Sequence, residues 1–366
     1  MLMKKLLLSF TTFLLSVGVL FAQDSTDTAP PLDSLGDYGD AQKTKRFCTQ
    51  KVRNLTPTKL YSIGYEVQGP FNMSSVVGEP YKNGSFPNLA DSPSDVKVKA
   101  VHGLQLGINY PIISKSSIIV SLMAQYAESR FIVDDPKNYS LYKNLNDKGL
   151  RTGGLGFTVF KPLNEKRFLI IQAQADVNGN YSSSQLGDAF GTGMTVSGAV
   201  IYGWKKSDDL MWGLGVTRTY RGGESLVIPV WYYNRTFNDR WGTEILFPAR
   251  VHFRRNFSAK SLLQFGYEVV GNSYFIQNQE NTNSDLAPYD ALQLRRSEVK
   301  IRAVYERSLK NFMWISVQAG LRANYKFNLS EKNGVESGGL INDKFLLETK
   351  IGLPVYLNVS LNIVSP

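Results

Sequence analysis

From Met313 to Phe327 every second residue is apolar: Met313, Ile315, Val317, Ala319, Leu321, Ala323, Tyr325 and Phe327. Ser316, Gln318, Gly320, Arg322, Asn324 and Lys326 stand between them. Residues two apart share one face of a β-strand, whereas a helix scatters them around its circumference. The run is therefore a long strand with one apolar and one polar face. Two more runs repeat the pattern. Leu169, Ile171, Ala173, Ala175 and Val177 oppose Gln172, Gln174, Asp176 and Asn178, and Val299, Ile301, Ala303 and Tyr305 oppose Glu298, Lys300, Arg302 and Glu306.

The same period, less clean, recurs near 59–68, 96–110, 116–128, 150–161, 194–206, 209–220, 225–236, 240–255, 261–276 and 344–363. Soluble sandwiches use strands nearer five or six residues. Many runs here exceed ten, and their apolar faces lack the bulky matched partners of a closed core. The pattern predicts an all-β fold, a transmembrane antiparallel up-and-down β-barrel with apolar residues toward lipid. About 13 periodic segments are visible, whereas single-chain bacterial barrels have an even number of strands. The expected count is 12, with 14 as the alternative. Short polar connections at Lys205–Asp209, Asn238–Arg240 and Pro162–Glu165 suit hairpins. Longer ones at 134–148, 179–193, 277–290 and 329–343 suit extracellular loops. Tyr110, Tyr202, Trp204, Trp212, Tyr220, Trp241 and Tyr325, near strand ends, are candidates for the interfacial aromatic girdles.

The N-terminus explains how such a chain leaves the cytoplasm. Lys4 and Lys5 precede an apolar stretch from Leu6 to Phe21, then Ala22 and a polar segment, the layout of a cleaved signal peptide. The expected organisation is a signal peptide at 1–22, a flexible periplasmic segment at 23–56 and an outer-membrane barrel at 57–366. Residues 24–40 hold five aspartates and two adjacent prolines but no basic residue, a composition that cannot fold alone. The basic stretch Lys43–Arg53 follows and is placed at the periplasmic mouth. A single cysteine, Cys48, excludes an intramolecular disulfide framework. The net charge of +10 falls to +8 without Lys4 and Lys5. Export excludes nucleic acid as its partner, leaving anionic outer-membrane lipids, or a lumen and loops that carry the charge. The last strand sets Leu357, Val359, Leu361 and Ile363 against Asn358, Ser360 and Asn362. It ends Ile363-Val364-Ser365-Pro366 rather than on the aromatic residue that the barrel-assembly machinery commonly reads.

Signs of catalysis are few. His102 is in phase with Leu104, Leu106 and Ile108 and is predicted to face outward; His252 is in phase with Glu244, Arg250 and Arg254 and is predicted to face the lumen. Outer-membrane phospholipases carry His and Ser two apart on one strand, where imidazole can activate the hydroxyl. Here Ala100 and Leu104 flank His102 at that spacing, and Arg250 and Arg254 flank His252. Asp134, Asp135 and Asp147 share one loop without a histidine, unlike an outer-membrane protease site. Asp176-Val177-Asn178-Gly179-Asn180 resembles a calcium loop only in its first half. No metal set, phosphate loop or nucleotide fingerprint stands out, so the chain is read as a non-enzyme without a cofactor.

The lumen carries the remaining chemistry. Arg250, His252, Arg254, Lys300, Arg302, Arg322, Lys326 and Lys350 are read as inward bases, and Glu66, Asp176, Glu244, Glu268, Glu298, Glu306 and Glu348 as inward acids. Unmatched charge marks an ion pathway and matched charge a packed interior. Arg250, Arg254, Lys300 and Arg302 form the candidate anion-attracting patch. Two readings follow: a narrow passive channel or transporter for a small solute, or a closed structural or surface-interaction barrel using its long loops at 277–290 and 329–343.

The export end Leu20-Phe21-Ala22-Gln23, the acidic Pro-containing leader and Ile245-Leu246-Phe247-Pro248-Ala249-Arg250 inside a long barrel carry a further resemblance. The chain resembles Gram-negative outer-membrane β-barrel proteins grouped as a family of unknown function. The resemblance implies fold and location, not an activity.

Overall fold

The alternating runs resolve into sixteen β-strands and one helix in a computed structural model, whose described residues are 47–78, 94–136, 140–181, 193–221, 225–277, 291–331 and 345–365. The strands are β1 (Lys59–Gln68), β2 (Phe71–Val77), β3 (Ser94–Lys115), β4 (Ile118–Asp134), β5 (Leu150–Pro162), β6 (Arg167–Gly179), β7 (Met194–Ser207) and β8 (Leu210–Thr219). They continue as β9 (Leu226–Thr236), β10 (Trp241–Phe247), β11 (Arg250–Ser258), β12 (Ser261–Gln277), β13 (Ala291–Lys310), β14 (Met313–Glu331), β15 (Leu347–Ile351) and β16 (Val355–Val364). The helix α1 (Ser140–Asp147) lies between β4 and β5. The signal-peptide reading, residues 1–22, lies outside the described residues, as does the expected flexible segment up to residue 46.

Neighbouring strands pair antiparallel around the wall, and β1 pairs with both β16 and β3 to close it. Two strands of the wall are each broken in two. β2 continues β1 past Gly69-Pro70, and β15 precedes β16 across Gly352-Leu353-Pro354, with β2 and β15 paired to each other. The closed barrel has 14 strands, the alternative count rather than 12. The run at 240–255 is two strands, β10 and β11, joined at Pro248-Ala249. Leu246 pairs with Arg250, Glu244 with His252 and Gly242 with Arg254, so even-numbered residues face inward on both strands. A hairpin that preserves parity leaves no break in the alternation. Pro248 was the visible cue, because proline rarely sits inside a central strand.

The wall is apolar outside and polar inside. In β16 Val355, Leu357, Val359, Leu361 and Ile363 are exposed, while Asn358, Ser360 and Asn362 are buried. A soluble β-sandwich requires the reverse. At the end with the short turns, here the lower end, Trp204 stacks on Trp212 at 4.4 Å and on the edge of Tyr202. Arg255 lies over Trp241 and Phe257. Such amphipathic rings suit a membrane–water boundary.

The upper end is packed. Phe71, Met73, Val98, Val101, Phe131, Leu292, Leu294, Phe327, Leu329 and Leu347 form an apolar core together with Leu141, Tyr142 and Leu145 of α1. Tyr142 donates to Ser75 at 2.9 Å, and burial pushes its phenol up to about 12. Four adjacent stretches change phase where this core begins. They are Gly69-Pro70, a bulge at Lys99 in β3, a bulge at Tyr325 in β14, and Gly352–Pro354. An extra residue transfers the following side chains to the other face of a strand. The structure therefore corrects four expectations. Phe327 packs inside rather than outside, and Lys326, on the opposite face, leaves the lumen row to lie over the Phe345 ring at 5.8 Å. Glu348 and Lys350 are exposed on the outer face of β15, while Leu347 and Thr349 turn inward.

Candidate functional site

The lower mouth is occupied by residues 47–56. This part of the expected flexible segment is instead packed against the barrel turns. Cys48 N donates to Asn164 O at 3.1 Å, and Arg53 N to Asp208 O at 2.8 Å. Thr236 Oγ1 donates to Arg53 O at 2.6 Å, and Asn256 Nδ2 to Asn54 O at 3.0 Å. Cys48 and Val52 are buried against Phe160, Phe168 and Met211. Burial pushes the Cys48 thiol above its ordinary range; Lys205 opposes this in part. None of these contacts is a rung of the wall's own ladder.

Above the plug, most acids and bases are matched. Arg254, fully buried, donates to Glu244 at 2.8 Å and to Thr236 Oγ1 at 2.9 Å. Arg302 pairs with Glu268 at 2.7 Å, donates to Gln318 at 3.1 Å and lies 3.5 Å from His252 Nε2. Arg322 joins Glu66 and, at 2.5 Å, Glu298; Lys300 lies 3.6 Å from Glu66 and Arg296 3.1 Å from Glu298. Glu306 pairs with Lys59 at 2.6 Å. Of the candidate anion patch, only Arg250 is exposed and without an ion pair among the described residues. Arg254, Lys300 and Arg302 are each tied to a carboxylate. His102 lies on the outer side, its Nδ1 2.6 Å from the exposed Tyr65 hydroxyl.

Between the plug and the upper core lies a cavity of about 690 Å³, within the range of small-molecule sites. It has two unlike walls. Ile170, Ala199, Ile201, Leu226, Ile228, Val230 and Leu246, from β6 to β10, make an apolar arc. Glu66, Gln105, Gln125, Lys300, Arg302, Gln318 and Arg322 make a polar one on the strands around β1. The cavity extends to exposed Arg221 and Tyr325, above the level where β10 and β11 stop. There β12 has lost its β11 neighbour. Arg221 Nη1 donates to Val269 O at 2.5 Å, and the Tyr325 hydroxyl donates to Arg221 O at 3.5 Å.

Sequence reasoning missed Thr56, Tyr356 and Arg296. Thr56 N and Oγ1 donate to Glu244, at 3.1 and 2.7 Å. The Tyr356 ring lies 4.9 Å from the Arg322 guanidinium, and its hydroxyl accepts from Gln318 at 2.6 Å. One signal was available: Tyr356 is an aromatic residue in phase with the polar Asn358, Ser360 and Asn362. Thr56 had none, because its role depends on a segment folding back into the mouth.

A closed antiparallel barrel with an apolar exterior and an ion-paired interior defines the outer-membrane β-barrel class. The chain belongs to the family described as a domain of unknown function (DUF6268), whose model matches residues 92–339. No curated protein matches it in sequence. Among solved structures, a FadL homologue of Pseudomonas aeruginosa is similar at 10% identity and a TM-score of 0.39, over 84% of this chain and 90% of that one. An outer membrane channel from Pseudomonas putida F1 is similar at 11% identity and a TM-score of 0.35, over 84% and 96%. The NanC porin is similar at 7% identity and a TM-score of 0.31, over 82% and 100%. At these identities the likeness concerns the fold alone.

Proposed function

We propose that the protein is an outer-membrane channel or transporter for a small amphipathic solute, closed at rest by its own N-terminal segment. One observation carries this reading. A two-faced cavity of about 690 Å³ lies beneath a packed upper core and above a plug held by hydrogen bonds, an exposed Arg53–Asp209 ion pair and a small apolar cluster. An interior meant only to be solid has no use for that volume, since small barrels readily fill with side chains. The balanced charges argue against a broad anion pore. They suit a site that presents hydrogen bonds on one side and hydrocarbon on the other. The cavity's reach toward Arg221 and Tyr325 gives the solute an upper way in, and the mouth under Thr56 gives a lower way out.

The test is conductance of the full-length refolded protein in planar bilayers, beside Thr56→Val. The expected result is rare, small openings in the parent and more frequent ones in the variant. Silence from both, with a folded heat-modifiable barrel, contradicts the channel. It favours a closed structural barrel, the second reading, which the matched ion pairs and the filled upper core support.

A further inference from the structure

Within the cavity the acids are not treated alike. Glu66, Glu268 and Glu298 have cationic partners as close as 2.7 Å or less, and Glu128 lies 3.3 Å from Arg130. Asp176 on β6 is different. It is 6% exposed, lines the cavity, and makes no ion pair among the described residues. Its carboxylate accepts from two neutral amides. Gln125 Nε2 donates to Oδ1 at 2.8 Å, and Gln174 Nε2 lies 2.8 Å from Oδ1 and 2.9 Å from Oδ2. The nearby Arg221 is engaged by Val269 O and Glu268.

Amides orient a carboxylate without cancelling its charge, and an ionised group inside a membrane barrel is costly without a counter-charge. The site is also shaped for this acid. A Cβ on Gly154 of the neighbouring strand would lie 1.8 Å from Asp176 Oδ1, so glycine is what lets the carboxylate lie there. Down the same face of β6 come Gln174, Gln172 and Ile170, and Ile170 pairs across with Ile201 of β7. A negative group thus stands at one end of a strand face and hydrocarbon at the other, six residues or roughly 20 Å away.

We propose that Asp176, held by Gln125 and Gln174, receives the protonated amine of an amphipathic solute whose apolar part extends down this face toward Ile228, which pairs across from Thr217, and in longer solutes on to Ile170 and Ile201. The proposal rests on the reading of the cavity as a solute site and names the chemical class it takes. The amine supplies the missing counter-charge, and the amides leave carboxylate lone pairs free to accept from it.

Hexylamine, hexanol and hexanoate share one tail and differ in the head. Their binding to the full-length, detergent-solubilised protein is measured by titration calorimetry. Hexylamine is expected to bind tightest. Asp176→Asn, which keeps the shape, should weaken it by about tenfold or more, the scale of a lost charged hydrogen bond, with hexanol unchanged. Gln125→Ala keeps the charge but removes one of the two amides that hold it, and should weaken hexylamine less than Asp176→Asn does, which separates charge recognition from local damage. Hexanol binding with no preference for the amine, or an amine preference that survives Asp176→Asn, overturns this proposal and leaves the cavity reading standing. No binding of any of the three overturns both.

Discussion

Thr56 and Glu244 join the plug to the barrel: the backbone N and the hydroxyl of Thr56 both donate to one carboxylate oxygen of Glu244. The same oxygen accepts from Arg254, and Gln264 donates to the Thr56 hydroxyl at 2.7 Å. Thr56→Val removes the hydroxyl while keeping the shape. That hydroxyl makes two hydrogen bonds, each worth about 1 kcal/mol net, so plug release should become roughly thirtyfold more frequent. The check is the rate at which a maleimide labels Cys48, which is buried while the plug is seated.

Cys48 also gives a pH readout. Burial disfavours its thiolate, so the folded-state pKa lies above the ordinary thiol value. The thiolate is the reactive form. Labelling of the seated plug should therefore rise only at a pH above that needed for an exposed cysteine, and Thr56→Val should move the profile back down. Identical profiles for parent, variant and a short cysteine peptide would mean the segment does not shield Cys48.

The Arg322 cluster is the tightest charged contact of the lumen. Arg322→Met leaves Glu66 and Glu298 buried with a partner lost, and breaking such a pair costs about 3–5 kcal/mol. Denaturant unfolding of the refolded barrel should show that loss. Adding Glu66→Gln and Glu298→Gln should deepen the loss, because Lys300 and Arg296 then stand buried without their carboxylates. Equal stability of parent and single variant would show that the cluster is solvated.

Much of the barrel was legible in sequence because its wall follows a two-residue period. The outward apolar rows of β6, β13 and lower β14 come directly from that period. It failed where the period is interrupted or falsely continuous. Tyr325 and Gly352–Pro354 reverse the phase, so Phe327 and Leu347 turn inward and Lys350 turns outward. The turn at Pro248-Ala249 keeps the phase and hides a hairpin. For the site, the alternation placed Arg254, Lys300, Arg302 and Arg322 inside but could not say which acid each meets, since partners come from strands far apart in sequence. Thr56 and the plug depend on a segment with no period at all.

The phase reversal makes its own prediction. Phe327, 1% exposed, packs in the upper core, whereas Tyr325, two residues earlier and 58% exposed, faces out. Phe327→Ala should cost about 3–5 kcal/mol, and Tyr325→Ala much less. Equal costs in urea titrations would place both residues on one face and remove the bulge.

Gating by the N-terminal segment is tested most directly by tying that segment down. Arg53 Nε lies 3.5 Å from Asp209 Oδ1, so cysteines at these two positions, in a Cys48→Ser background, can be bridged by a reducible bis-methanethiosulfonate linker. Single-channel recording is made before bridging, after it, and after reduction. The account predicts openings that vanish on bridging and return on reduction. Openings that persist with the segment tethered, or a barrel silent in all three states, would contradict it.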